Sequence, residues 1–169
     1  MTILATAPID QTAIDILSPY GEIITAPDDR EDTLVSLAAD AEVIVVRGVA
    51  QITETVIEAA DKLKVIGRTG VGINNIDIAC ATARGIPVVF TPGANSRAVA
   101  EAAMAFLLAL AKRVTYWDSQ TKANKWNSRY HSMNDDLEGT TLGIVGFGNI
   151  GQQLARLATP FDMLSLIHI

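Results

Sequence analysis

Short β-branched runs alternate along this chain with stretches of amphipathic spacing. TILATA, GEIITA, EVIVVRG, KVIGR and IPVVFTP carry apolar residues nearly without a break and read as strands; IDQTAIDILS, REDTLVSLAAD, TETVIEAADKL and NIDIACATARG have helical spacing. Strands apolar on both faces, each followed by a helix, imply a parallel sheet covered on both sides: a doubly wound, flavodoxin-like α/β domain complete by about Pro92. A longer helix follows from Ser96 to about Lys112. It is apolar nearly all round, so it is expected to be buried at a domain junction or subunit interface, with Glu101 paired or at an edge. A more polar helix, TYWDSQTKANKW, then carries Trp117 and Trp126, which read as core plugs rather than cofactor stackers.

The next apolar run, TLGIV, turns through Gly146, Gly148 and Gly151 into the helical QQLARLA. Strand, glycine turn, helix is the context in which GxGxxG holds a dinucleotide. The first glycine makes the tight turn, the second lets backbone approach a pyrophosphate, and the third lets helix and strand pack closely. The phosphates then meet free N–H groups and the positive end of the helix dipole. The plainer reading is a glycine turn within an α/β sheet. The first domain has no such turn after its first strand, so the dinucleotide belongs to the second.

Ligands of doubly wound sheets collect at the carboxyl ends of the strands. The third strand ends at Arg47-Gly48, and the fourth runs into Gly67-Arg68-Thr69-Gly70-Val71-Gly72. Successive N–H groups of such a turn form a concavity for an anion, and a carboxylate is the obvious small one. Equally, the glycines serve turn geometry and Arg47 is a solvated rim charge; the residues of this domain alone leave both readings open.

Composition narrows the classes of function. Hydrophobic residues make up 49% and charged residues 19% of the 169, which specifies a well-filled core. A net charge of -6 argues against a broad nucleic-acid or anionic-membrane surface. Cys80, the single cysteine, reads as a small buried hydrophobe and fits a reducing cytoplasm. The N-terminus lacks the pattern of a signal peptide, and the longest apolar stretch, Ala102 to Ala111, is too short to span a bilayer. A signalling receiver domain would need an aspartate where Arg47 ends the third strand, and that reading is set aside.

VVRG, GRTGVGINNID, TPGANSRAVAE, the apolar helix, KW, LEGTTLGIVGFGNIG and LARLATPF, in this order, resemble the D-isomer-specific 2-hydroxyacid dehydrogenases, above all their phosphoglycerate dehydrogenase-like members. The resemblance implies two doubly wound domains around a cleft in which NAD(H), with NADP as the variant, exchanges a hydride with C2 of a small 2-hydroxy or 2-oxo acid. It implies that the N–H groups of Val71 and Gly72 hold the substrate carboxylate and that Arg47 and Asn95 line the same cleft. Gly146, Gly148, Asn149, Ile150 and Gly151 would wrap the pyrophosphate, and the long helix would join a homodimer. On this reading residues 1–95 are the substrate domain, 96–136 linking helices, and 137–169 the first strand and helix of a truncated Rossmann NAD-binding domain. A non-catalytic NAD-binding sensor or corepressor-like relative is the alternative.

Asn74 stands where the family commonly has aspartate, and Asn149 where arginine is frequent. The acidic residue that a dinucleotide fold carries about 20 positions past its glycine turn falls beyond Ile169, as do the family's catalytic arginine, glutamate and histidine. A ketone reduction needs a proton donor within hydrogen-bond reach, and neither His131, a solvated loop residue, nor His168 has the position for it. The chain as written is therefore expected to be inactive, with no catalytic residue of its own, no metal and no membrane or nucleic-acid partner. The last six residues, LSLIHI, match the translation of a transposon-adapter end and are taken as an artefact, against the plainer reading of a second strand.

Overall fold

The computed structural model describes residues 1–168, of which 165–168 by their main chain only. The chain divides into two compact units, Met1–Ala94 and Asn95–Ile169.

The first unit runs β1 (Thr2–Ala5), α1 (Gln11–Leu17), β2 (Glu22–Thr25), α2 (Glu31–Ala38), β3 (Val43–Val46), α3 (Glu54–Ala59), β4 (Val65–Arg68), α4 (Ile78–Ala83) and β5 (Val88–Val89). All pairings are parallel, as the alternation implies, and the strand order is β2-β1-β3-β4-β5, the flavodoxin-like one. Strand alternation sends side chains to two faces, and both are covered. Leu4, Ile44, Val46 and Ile66 pack with Leu34, Val56, Ile57 and Ala81, while Ile3, Ala5 and Val45 pack on the other side with Ile9 and Leu17. Helices α1, α3 and α4 start where short polar residues accept a first-turn N–H. Asp10 takes that of Thr12 at 2.9 Å, Thr53 that of Val56 at 3.4 Å, and Asp77 that of Cys80 at 2.9 Å. Cys80 itself is half-buried against the core, and burial pushes its thiol pKa up.

The second unit contains α5 (Ser96–Ala111), α6 (Val114–Lys122), β6 (Thr141–Val145), α7 (Asn149–Ala158) and β7 (Leu164–His168). Met104 of α5, Leu142 and Ile144 of β6 and Ala158 of α7 form its core. The sequence predicts one strand and one helix after residue 137; the structure adds β7, parallel to β6 from Thr141↔Leu164 to Val145↔His168. The local reason is a left-handed Asp162 (φ 53) that turns the chain after α7, after which Leu164 N–H donates to Thr140 C=O at 2.8 Å and opens the ladder. The side chain of His168 lies outside the described residues.

Helix α5 is less enclosed than its composition predicts. Ser96, Ala100 and Met104 are buried, but Phe106 and Leu110 are 69% and 76% exposed. Glu101 is exposed and paired with Arg97 at 2.6 Å, as an edge carboxylate should be. The tryptophans are not core plugs. Trp126 is 61% exposed beneath the Arg129 guanidinium, and Trp117 is half-buried with its indole N–H donating to Asn134 at 2.6 Å. Each keeps one edge wet because Arg129 and Asn134 supply the contacts that apolar neighbours would otherwise give.

Candidate functional site

Strands β1, β3 and β4 lie side by side, and their carboxyl ends carry the first unit's candidate chemistry. The chain leaves β1 toward β2 on one side, and β3 lies on the other, so β1 and β3 flank the point where the winding reverses. That crevice is where sheets of this kind bind ligands. Thr6, the residue after β1, is buried, and its hydroxyl accepts from Arg47 N–H at 3.0 Å and donates to Arg47 C=O at 3.2 Å. The Arg47 guanidinium donates to Pro8 C=O, so this arginine is tethered at main chain and side chain alike. Beside it opens a cleft of about 300 Å³ lined by Thr6, Pro8, Pro27, Asp28, Arg47 and Val49. The Thr33 hydroxyl, with Arg30, holds the Asp28 carboxyl below its ordinary range, so the cleft has both signs of charge at neutral pH.

The turn after β4 is held from behind by its carbonyls. Gly70 C=O accepts from Thr91 N–H at 3.2 Å and from the Thr91 hydroxyl at 3.1 Å, and Gly72 C=O accepts from Arg68 Nε at 3.1 Å. Among the described residues, the N–H groups of Val71 and Gly72 donate to nothing. Gly72 is exposed, with Asn74 Oδ1 3.2 Å from where a Cβ would stand. Two adjacent free donors on a turn fixed by its own carbonyls can accept a small anion without reorganising. Arg47, Val71 and Gly72 thus stand at the ends of adjacent strands. Asn95 belongs to the second unit, where it precedes α5 and its C=O accepts from Val99 N–H at 3.0 Å.

In the second unit the three glycines differ in what surrounds them. Gly146 has φ +87, a left-handed conformation that glycine adopts without strain. A Cβ on Gly148 would meet nothing within 4 Å, leaving open space over the turn. A Cβ on Gly151 would fall 2.4 Å from Gly146 C=O and 3.2 Å from Ile144 Cγ2, so α7 sits on β6 at a distance only glycine permits. Helix α7 has no side-chain cap at Gly148. The N–H groups of Asn149, Ile150 and Gly151 in its first turn therefore have no intrahelical acceptor. Asn149 and Ile150 are exposed beside them. Free first-turn donors of this kind suit a phosphate group, and the residues present fit the dinucleotide that the sequence implies.

Thr6, Arg68, Asn75 and Thr91 were not singled out by sequence reasoning. For Thr6 and Thr91 the available signal was a hydroxyl residue closing an apolar run, as in TILAT and VVFT; Arg68 and Asn75 carry no such local signal. His131 is exposed, and among the described residues no cluster of three or more His, Cys, Asp or Glu could hold a metal. No described helix is long and apolar enough to cross a membrane.

Three comparisons bear on this arrangement. The sequence model of the catalytic domain of D-isomer specific 2-hydroxyacid dehydrogenases matches residues 3–159. D-3-phosphoglycerate dehydrogenase of Methanocaldococcus jannaschii is 43% identical over 161 residues, 95% of this chain and 30% of that protein. Hydroxypyruvate reductase of Thermotoga maritima is 38% identical over 92% of this chain and 51% of its own length. Among solved structures, the NAD-dependent formate dehydrogenase of Staphylococcus aureus in complex with NAD superposes with a TM-score of 0.81 at 30% identity, over 99% of this chain and 56% of that one. The chain thus spans between about a third and about half of the length of the proteins it matches.

Proposed function

The chain belongs to the D-isomer specific 2-hydroxyacid dehydrogenase family, and from that premise we propose that it supplies the substrate clamp and the pyrophosphate turn of an NAD-dependent oxidoreductase acting on a small 2-hydroxy or 2-oxo acid. The observation that carries the reading is the pair of free N–H groups at Val71 and Gly72, on a turn fixed by Arg68 and Thr91, one strand away from Arg47. The two amides receive the carboxylate, Arg47 adds the positive charge that draws it in, and the family motif assigns Asn95 to the same substrate. Gly146, Gly148, Asn149, Ile150 and Gly151 hold the pyrophosphate of NAD(H), with NADP as the variant. When bound, that cofactor supplies or takes the hydride at C2 of the acid.

This segment's own part is binding and orientation. Holding the carboxylate fixes C2 and its oxygen, and a fixed geometry replaces an encounter that would otherwise cost entropy. The proton on that oxygen requires a donor in hydrogen-bond reach. His131 is exposed in the connecting segment and does not serve, so turnover requires residues from the rest of the family's length. We place the protein in the cytoplasm, which its single half-buried cysteine suits, as a homodimer joined through α5.

The test is a nitrogen-15 NMR titration of the 169-residue chain with pyruvate and, separately, with NAD. Pyruvate should move the Val71 and Gly72 amides, and Arg47→Met should weaken that response about tenfold or more. NAD should move the amides of residues 146–151, with weak affinity because no adenosine pocket accompanies them. Pyruvate shifts confined to other regions would refute the carboxylate site. Binding without turnover in a chain extended to family length would favour a non-catalytic sensor.

A further inference from the structure

The loop that carries Arg47 is gripped at both flanks by side chains of a single segment. Before it, Val46 C=O accepts from Arg68 Nη1 at 3.2 Å, from the Thr69 hydroxyl at 3.2 Å and from Thr69 N–H at 3.0 Å. After it, Ala50 C=O accepts from Asn75 Nδ2 at 2.7 Å. Arg68 and Asn75 also bracket Val71 and Gly72 in sequence, and Arg68 Nε donates to Gly72 C=O at 3.1 Å. The main chains meet just beyond: Ile52 N–H donates to Asn75 C=O and Asp77 N–H to Ile52 C=O, each at 2.8 Å, around the bridge Ile52↔Ile76.

Asn75 is an unusual residue to find here. It is 8% exposed, its Nδ2 is committed to Ala50, and its Oδ1 is buried with no hydrogen-bond partner among the described residues. A buried amide with one end unsatisfied is costly to keep, and an apolar residue of similar size would avoid that cost. What the amide contributes is the donor to Ala50 C=O.

We propose that Arg68 and Asn75 are positioning residues that clasp the loop 47–49 and the turn 71–72 into one preorganised unit. The proposal rests on the reading of Val71, Gly72 and Arg47 as the carboxylate clamp. Arg68 acts through two carbonyls, Val46 and Gly72, and sets the spacing between the strand end that bears Arg47 and the free amides. Asn75 closes the far side through Ala50. Neither residue needs to touch the substrate. Lysine in place of Arg68 would not substitute, since one ammonium on a flexible stem cannot hold two carbonyls with the fixed fork of a guanidinium.

The experiment is hydrogen exchange, read residue by residue by NMR on the 169-residue chain, for wild type, Arg68→Met, Arg68→Lys, Asn75→Ala and Asn75→Asp. Clasping predicts that Asn75→Ala lowers protection at Ile52 and Asp77 about tenfold or more, and that Arg68→Met and Arg68→Lys do so at Thr69, while Ile44 and Ile66 in the sheet keep wild-type protection. Asn75→Asp should lose protection at neutral pH and regain it as pH falls, because only the protonated carboxyl can donate to Ala50 C=O. An Asn75→Asp variant without that pH profile overturns the proposal, as does unchanged loop protection in Asn75→Ala and Arg68→Met. Pyruvate titration of the same samples should show about tenfold weaker binding in Arg68→Met and Asn75→Ala. Failure of wild type to bind pyruvate would refute the carboxylate reading, while exchange still decides the clasp.

Discussion

The Thr6 hydroxyl holds both main-chain groups of Arg47, accepting its N–H at 3.0 Å and donating to its C=O at 3.2 Å. The two residues lie 41 positions apart in sequence, on β1 and β3 ends that neighbour one another only because the sheet order is β2-β1-β3. Replacing Thr6 with valine keeps the shape and removes the hydroxyl, leaving the Arg47 N–H without its acceptor in a part-buried place. We expect a loss of roughly 1–3 kcal/mol, seen as a lower urea midpoint, and weaker pyruvate binding than in wild type. An unchanged midpoint would show that water replaces the hydroxyl at no cost.

Two glycines of one motif should respond oppositely to alanine. At Gly151 a Cβ meets Gly146 C=O at 2.4 Å and Ile144 Cγ2 at 3.2 Å, in the turn and strand that the helix must touch. Gly151→Ala should destabilise the second unit by roughly 1–3 kcal/mol, the usual cost of overpacking. At Gly148 a Cβ meets nothing within 4 Å and φ is -78, so Gly148→Ala should stay within about 1 kcal/mol of wild type. It should nevertheless abolish the NAD response of residues 146–151, because the methyl occupies the space through which a pyrophosphate approaches. Thermal unfolding and NAD titration of both variants separate the two roles.

Helix α5 carries Val99, Phe106 and Leu110, at 39%, 69% and 76% exposure, along one stripe at helical spacing. Burying such side chains is worth about 1.5–3 kcal/mol each, enough to drive self-association. Sedimentation velocity should show a concentration-dependent dimer for wild type and a monomer for the double variant Phe106→Asp, Leu110→Asp. A wild type that remains monomeric at high concentration would remove α5 as the dimer face.

Several carboxylates are held below their ordinary range: Asp10 by the Thr12 N–H, Asp40 by the Lys62 ammonium, Glu42 by that of Lys64, and Asp136 by that of Lys112. A depressed carboxylate binds fewer protons folded than unfolded. Its contribution is therefore complete above the unfolded value, 3.8 for Asp and 4.5 for Glu, and disappears as pH falls through the lower folded value. The urea midpoint should stay flat from neutrality down to about pH 5 and decline below about pH 4. Lys62, raised by Asp40, adds a contribution that persists at neutral pH and fades only as pH rises through its folded value, above 10.5. These pairs are exposed, so about 1 M salt should flatten the acid limb; a decline beginning near pH 6 would point to a different group.

The sequence by itself determined the alternation of elements, because burial on both faces of a parallel sheet favours short unbroken apolar runs rich in β-branched residues, of which VIVV at β3 is the clearest. It determined the glycine turn as well. Gly146 is required by its backbone conformation and Gly151 by close approach, and those constraints are local to one strand, one turn and one helix. Arg47 and the turn 67–72 stood out by their places at strand ends, and the family resemblance narrowed the turn to Val71 and Gly72.

Tertiary structure decided the rest, since it depends on which strand ends become neighbours. Nothing in TILATA says that Thr6 will grip Arg47, or in INNID that Asn75 will reach Ala50, because those contacts exist only after β1, β3 and β4 take their order. The exposure of Trp126 and of the outer face of α5 was likewise beyond composition. An aromatic or aliphatic side chain is buried only if the chain brings a surface to cover it, and residue type does not say whether it does. Strand β7 depended on a left-handed turn at Asp162 and on a parallel partner in β6, a pairing that the β-forming residues of its own sequence permit without specifying.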